Sequence, residues 1–281
     1  MTILVTGANG MIGSHLVRGL LDAGYEVIGV GRVGGESRED RYRFYRLDLA
    51  DRERLRKVAD GNRVDRFIHL AALAHTEGET DLSWERYRRV NADCARNVFE
   101  VAGDRPVLLI STVDVYGFYD GTEPVNAQTP IRPVSRYAKS KALAEAACQK
   151  LKHFTIFRLA PVYTETVRRD IQKRYYLSYP NIAYVVGGGS AFEVLSVQTA
   201  VSAMVRWCAE EPENDIRIIR DRQPLWTPDA IRQERAGGNA RIVLWFPRWA
   251  VRCGYAVLRS VLGENEKTYL LNKAVHPLRS E

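Results

Sequence analysis

The sequence predicts an α/β fold, a doubly wound parallel sheet with a smaller C-terminal lobe. Three observations carry this. Short apolar runs alternate with amphipathic helical stretches over the first 160 residues. The runs are rich in Val, Ile, Leu and Phe, as strands covered on both faces should be. Repeated strand–helix units call for parallel, right-handed crossovers. A chain of 281 residues is long enough for one large core, or for a core with an added lobe.

In chain order, strands are expected at 3–6, 26–30, 44–47, 66–70, 107–111 and 155–159, with helices at 12–23, 52–59, 85–101 and 136–151. After Pro161 the regularity weakens. A polar Arg/Tyr-rich stretch (167–179) leads to a strand at 182–186, a glycine turn at 187–189, a helix at 197–209 and a strand at 216–220. The last 60 residues read as loop and helix. Residues 1–160 are therefore expected to form the sheet domain, drawing further strands from 182–220, and 161–281 to form mainly the second lobe.

Composition narrows the partners. Apolar content of 46% and charged content of 27% are those of an ordinary globular protein. The net charge of +7 is spread along the chain rather than massed in a tail, which argues against nucleic acid and suits a small polyanion such as a nucleotide diphosphate. Cys94, Cys148, Cys208 and Cys253 form no CxxC pair and no metal-ligand spacing; they read as small hydrophobes in a reducing compartment. The sequence opens directly on a strand and holds no run of about 18 apolar residues, so no membrane span and a cytoplasmic location are expected.

The chemistry-bearing motifs begin at Gly7-Ala8-Asn9-Gly10-Met11-Ile12-Gly13, where the first strand passes into the first helix. Glycines there allow a tight turn, close approach of backbone to a pyrophosphate, and contact of helix with strand. The motif is thus read as a Rossmann dinucleotide loop. After the second strand, Gly31-Arg32 stands where a ribose-binding carboxylate would be expected. Arg32 can fork onto a 2′-phosphate, which favours NADP and leaves NAD open. Asp48-Leu49 follows the third strand, where it could lie beside the adenine, and Asp48 is also a candidate N-cap for the next helix.

Tyr137 and Lys141 are four residues apart on one helix face. A free phenol with a pKa near 10 is a poor acid or base at neutral pH, and an adjacent ammonium stabilises the phenolate. This helix follows the fifth strand, whose end carries Ser111 and Thr112, and ligands of open α/β sheets sit at the carboxyl ends of strands. Thr112 can hydrogen-bond the reacting oxygen.

With these residues the sequence resembles the extended short-chain dehydrogenase/reductase family, in its nucleotide-sugar epimerase, dehydratase and reductase branch. The resemblance covers about residues 1–200, through TGANGMIGSHL (6–16), HLAAL (69–73), ISTVDVYG (110–117), YAKSK (137–141) and RLAPVY (158–163). It implies that Gly7, Gly10 and Gly13 cradle the pyrophosphate, that Asn9, Met11 and Ile12 belong to the same turn, and that Ala71 and Ala72 line the cofactor path. Pro161 would lie near the nicotinamide, with Thr112, Tyr137 and Lys141 as catalytic residues and a nucleotide sugar as substrate. Pairing of two copies through long helices is common in such proteins.

Departures sharpen the expectation. Where similar 4,6-dehydratases follow the catalytic Thr with Asp-Glu, this chain has Val113-Asp114, which leaves Asp114 to act alone as acid or base, or to be a solvated turn residue. Gly31-Arg32 suits exchanging NADPH. The leading expectation is thus an NADPH-dependent reductase of a 4-keto nucleotide sugar. Its alternative is a C4 epimerase retaining NAD, with a non-catalytic NADP-binding regulator third. Arg168, Arg169 and Arg174, with Lys173, could grip a diphosphate or form a solvated face. His69 and His75 lack metal-like partners. The stretch 241–262 reads as a basic amphipathic helix, with Pro247 in its first turn, either packing in the second lobe or lying on an anionic membrane surface.

Overall fold

Thr2–Thr6 (β1) is buried along its whole length and pairs in parallel with Glu26–Gly31 (β2) on one side and Arg66–His69 (β5) on the other. The computed structural model describes residues 1–35, 37–74 and 83–281. Ser37–Glu39 (β3), Tyr42–Arg46 (β4), Val107–Thr112 (β6) and Phe154–Leu159 (β7) extend the sheet, whose order is strand Asp215–Ile219, β7, β6, β5, β1, β2, β4, β3. The chain leaves β1 toward β2 and returns to its other flank as β5. The order therefore reverses at β1, the place where such sheets open a crevice for ligands.

Met11–Asp22 (α1) buries Leu16, Val17 and Leu20 on one face and packs on the helix Val197–Ala209. Arg52–Gly61 (α2) is capped by Asp51, whose carboxylate accepts from Arg54 N at 3.0 Å. Asp48, expected as this cap, instead accepts from Ala50 N at 2.9 Å and holds the turn before the helix; Asp51 sits at the cap position proper. Beneath α2, Leu55 and Val58 join Leu4, Ile28, Phe67 and Leu109 in one core cluster.

The helix expected over 85–101 is interrupted. It starts as Trp84–Tyr87, widens into a π turn at Arg88–Asp93 and continues as Cys94–Ala102. Asn91, in the π turn, is buried and clamps the loop after β5 by accepting from Leu73 N at 2.6 Å and donating to Leu73 O at 3.0 Å. Insertions of this kind are frequent at functional sites.

The chain divides into two compact units. One comprises 1–112, 136–158 and 197–219; the other comprises 113–135, 159–196 and 220–281. The second unit holds a sheet of Ile242–Phe246, Ile182–Val186 and Tyr176–Ser178, over a core that includes Tyr175, Ala183, Val185 and Ile231. Two expectations are corrected here. The strand at 182–186 does not join the large sheet; it pairs with Tyr176–Ser178 and, in parallel, with Ile242–Phe246. The interval 241–262 is not one helix, because the β-branched and aromatic run Ile242–Phe246 forms that strand and the helix Arg248–Leu262 starts after Pro247. No described helix is long and apolar enough to cross a membrane.

Candidate active site

The bend at the end of β1 is shaped around absent side chains. Gly7 has φ +71°, and a Cβ added to it would lie 2.9 Å from Ala71 N on the neighbouring β5 loop. A Cβ on Gly13 would lie 2.1 Å from Gly7 O. Gly10 caps α1 without a side-chain hydrogen bond, and the first turn of the helix carries no acidic residue. The loop thus brings bare backbone and the positive end of α1 to one place, a cradle that fits the pyrophosphate of a dinucleotide. Asn9 stays outside this turn's core and donates from Nδ2 to Val33 O at 2.8 Å, tying the loop to the segment after β2. Met11 is exposed, Ile12 next to it is half-buried, and so is Ala71, whose backbone faces Gly7.

Arg32 is exposed directly after β2, and Asp48 is exposed after β4. Both lie close enough to Cys94 for their charges to act on its thiol, which burial first of all pushes up to about 11. Leu49 is buried and its carbonyl accepts from Asn97 Nδ2 at 2.9 Å. Ala72 is exposed.

Below the glycine bend, Thr6 and His69 face each other across β1 and β5. Their Oγ1 and Nδ1 atoms are 2.8 Å apart, and Thr6 Oγ1 also accepts from Ala71 N at 3.2 Å. Burial, and then the charge of Lys141, push His69 down from 6.5 to about 3. The folded protein therefore keeps His69 neutral while the unfolded chain takes up a proton below pH 6.5, so stability is lost as pH falls through that window. Between pH 7 and 5 this one group should lower the unfolding free energy by about 2 kcal/mol. Urea unfolding at both values checks it, because His69→Gln should shrink the difference by about that amount. His75 lies outside the described residues.

The helix Arg136–Cys148 places Tyr137, Lys141 and Glu145 at successive four-residue steps. Tyr137 is half-buried and meets Tyr87 edge-on, with ring centroids 6.5 Å apart. Lys141 is 1% exposed, and burial lowers its pKa from 10.5 to about 8 against the opposing charge of Glu145. It is still an ammonium at neutral pH, held where water cannot screen it. Glu145 is fully buried and is paired with Arg158 at 2.8 Å; Ser111 also donates to it from the end of β6. Ser140 turns the other way, donating to Tyr137 O at 2.7 Å and accepting from Asn91 at 2.9 Å. The Tyr137 helix is thus locked to β6, to β7 and to the π turn. Thr112 is half-buried at the last position of β6.

Asn91, Ser140, Glu145 and Arg158 were not singled out from the sequence. Glu145 could have been, since it continues the Tyr137/Lys141 spacing by one more turn. Breaking the buried Glu145–Arg158 pair would leave an uncompensated charge, so the pair resists separation of the helix from β7.

In the second unit, Asp114 lies in a cavity lined by Arg174, Phe192, Tyr269, Lys273 and His276. Lys273 Nζ donates to its carboxylate at 2.6 Å and Tyr269 OH at 3.4 Å. Burial pushes the Asp114 carboxyl up, but the charge and hydrogen bond of Lys273, with Arg174 and Tyr269, outweigh burial and hold it below the usual value. Asp114 is thus a half-buried carboxylate already engaged by Lys273. Pro161 lines the same cavity. Of the four cations expected to act together, only Arg174 reaches it, lying over Phe192 at 5.6 Å. Arg168 caps the short helix Arg169–Gln172, Arg169 is exposed, and Lys173 pairs with Asp170 at 2.9 Å. Among the described residues no group of three or more His, Cys, Asp or Glu could hold a metal ion.

Comparison with known proteins agrees with this geometry. The model of the NAD dependent epimerase/dehydratase family matches residues 3–215. The UDP-glucose 4-epimerase of Bacillus subtilis is 28% identical over 163 residues, covering 54% of this chain and 48% of that protein. The UDP-glucose 4-epimerase of Erwinia amylovora is 34% identical over 158 residues, covering 52% and 47%. The chain thus spans about half the length of the curated relatives it matches. Among solved structures, the NAD complex of Thermus thermophilus UDP-glucose 4-epimerase is similar with a TM-score of 0.67 and 25% identity, over 88% of this chain and 86% of that one. The UDP-glucuronic acid 4-epimerase of Bacillus cereus shares the fold with a TM-score of 0.71 at 22% identity, again over 88% and 86%. A glycine cradle at the sheet's switch point, a buried lysine one turn from a tyrosine, and a family match over most of the chain lead to one conclusion: the chain belongs to the NAD-dependent epimerase/dehydratase family, the nucleotide-sugar branch of the extended short-chain dehydrogenases.

Proposed function

We propose that the protein is a 4-epimerase of a nucleoside-diphosphate sugar, with UDP-hexoses as the first candidates. The observation that carries this is Lys141, an ammonium buried one helical turn from Tyr137 on a helix locked to the end of β6. The relatives' identity as UDP-glucose 4-epimerases supports the same reading. Gly7, Gly10, Gly13 and the N-terminus of α1 would hold the pyrophosphate of a dinucleotide, Arg32 its adenosine end, and Lys141 its ribose. When bound, the dinucleotide supplies a reversible two-electron acceptor. Tyr137, as phenolate, takes the proton of the C4 hydroxyl and later returns it to the C4 oxygen. Lys141 stabilises the phenolate between these steps, and Thr112 hydrogen-bonds the C4 oxygen. Proton and electron pair both go back to the sugar, and inversion follows when the trigonal C4 has turned its opposite face to the returning pair, so no co-reactant is consumed.

A second reading, the NADPH-dependent reductase of a 4-keto nucleotide sugar, is favoured by Arg32. It stands directly after β2 without a carboxylate at the strand end to disfavour a 2′-phosphate. One experiment separates the two. The dinucleotide released on denaturing fresh protein is identified, and untreated protein is incubated with UDP-glucose or UDP-glucuronic acid alone. Retained NAD and appearance of the C4 epimer are expected. Release of NADP, no epimer, and stoichiometric oxidation of NADPH by a 4-keto nucleotide sugar would establish the reductase instead.

A further inference from the structure

Ten of the seventeen exposed large apolar side chains among the described residues fall within the thirty residues Ile242–Leu271. Soluble surfaces scatter such residues singly; a concentration of this kind marks an interaction site. Its centre is the helix Arg248–Leu262, fifteen residues long, of which Tyr255 alone is buried. Trp249, Cys253, Val257 and Val261 recur every four residues and so form one stripe along the helix. Trp249 is 70% exposed, Val257 64% and Val261 73%. The strand Ile242–Phe246 leads into the helix and adds Trp245, 64% exposed.

The charge of this segment has one sign. From Arg241 to Gly263 the sequence has no Asp or Glu, and Arg241, Arg248, Arg252 and Arg259 are all exposed. At 100° per residue, Arg248, Arg252 and Arg259 form a ridge between the face that holds Tyr255 and the apolar stripe. Arg248 is steadied by donating to Gly189 O at 2.7 Å, which leaves its charge intact, while Arg259 pairs with Glu264. Outward apolar side chains, two tryptophans and a flanking row of arginines are the features of a helix lying in a membrane interface. The indoles and aliphatic groups enter the headgroup boundary, and the guanidiniums meet lipid phosphates. A second copy of the chain would bring the same unbalanced arginines against one another, which argues for an anionic partner.

We infer that the face formed by Ile242–Phe246 and the helix Arg248–Leu262 docks on an anionic lipid surface, making the protein peripheral to a membrane. This stands independently of the proposed activity. The full chain is sedimented with vesicles of phosphatidylcholine, with and without about one quarter phosphatidylglycerol, while tryptophan emission is followed. Expected are partitioning at least ~5-fold stronger onto the anionic vesicles, a blue shift of the emission, and weakening by salt. Arg252→Gln should lower partitioning about 5-fold, the loss of one surface-facing charge. Val257→Glu, at an exposed position where circular dichroism should show an unchanged fold, should lower it further. Equal sedimentation with both vesicle types would overturn the inference. So would a lipid-free dimer in sedimentation velocity that Val257→Glu splits, since the face would then be covered by a second copy.

Discussion

Tyr137→Phe is expected to lower turnover of the nucleotide sugar by roughly 10²–10⁴-fold, the usual worth of a positioned proton-transfer group. The substitution removes only the hydroxyl. The ring that packs edge-on against Tyr87 stays, as do the backbone carbonyl that accepts from Ser140 and the helix anchored by Glu145 and Arg158. Substrate binding and thermal midpoint should therefore hold near their parent values, and the loss should fall on kcat. Steady-state rates of C4 inversion, measured beside a melting curve, test both halves. Turnover within a few-fold of the parent would remove Tyr137 from the chemistry and with it the proposed mechanism.

Gly13→Ala should have the largest effect on the cofactor cradle. The added methyl group would sit 2.1 Å from Gly7 O and 2.9 Å from the backbone of Ala8. All of these atoms are main chain and cannot swing aside, so α1 must back away from β1. Overpacking of this kind costs about 1–3 kcal/mol or more. The displaced helix end would also withdraw its N–H groups from the pyrophosphate, and dinucleotide affinity should fall on the order of 100-fold, about two charge-assisted hydrogen bonds. Calorimetric titration with NAD and NADP, together with denaturant unfolding, reads the two effects. Gly61→Ala provides the control, because an added Cβ there meets nothing within 4 Å.

The parts of this molecule that were legible in sequence are those set by local spacing. The central strands of the large sheet announce themselves because a strand covered on both faces must be apolar throughout, as Ile3, Leu4 and Val5 are, whereas the polar edge strand Ser37–Glu39 gives no such signal. The glycine bend and the Tyr137/Lys141 step are short-range patterns with short-range causes. What escaped depends on partners far away in the chain. Glu145 meets Arg158 thirteen residues on, and Asp114 meets Lys273 at a separation of 159, so nothing beside Asp114 in sequence reveals that its carboxylate is already engaged. The run Ile242–Phe246 has no period that separates strand from helix, and only its pairing with Ile182–Val186 decides the matter. The π turn likewise serves Asn91's reach toward Leu73, which no periodicity encodes.

The chain passes between its two units after residues 112, 135, 158, 196 and 219. A truncation at residue 160 would therefore not release an autonomous dinucleotide-binding fragment. It would delete the helix Val197–Ala209, whose Val201 sits so close to Gly19 that a Cβ there would be 2.7 Å away, along with the strand Asp215–Ile219 at the sheet's edge. The stub would show water the apolar side of α1 and an unpaired β7, both prone to sticking to other chains. Any attempt to express the two units separately has to carry residues 197–219 with the first, by splicing rather than by cutting.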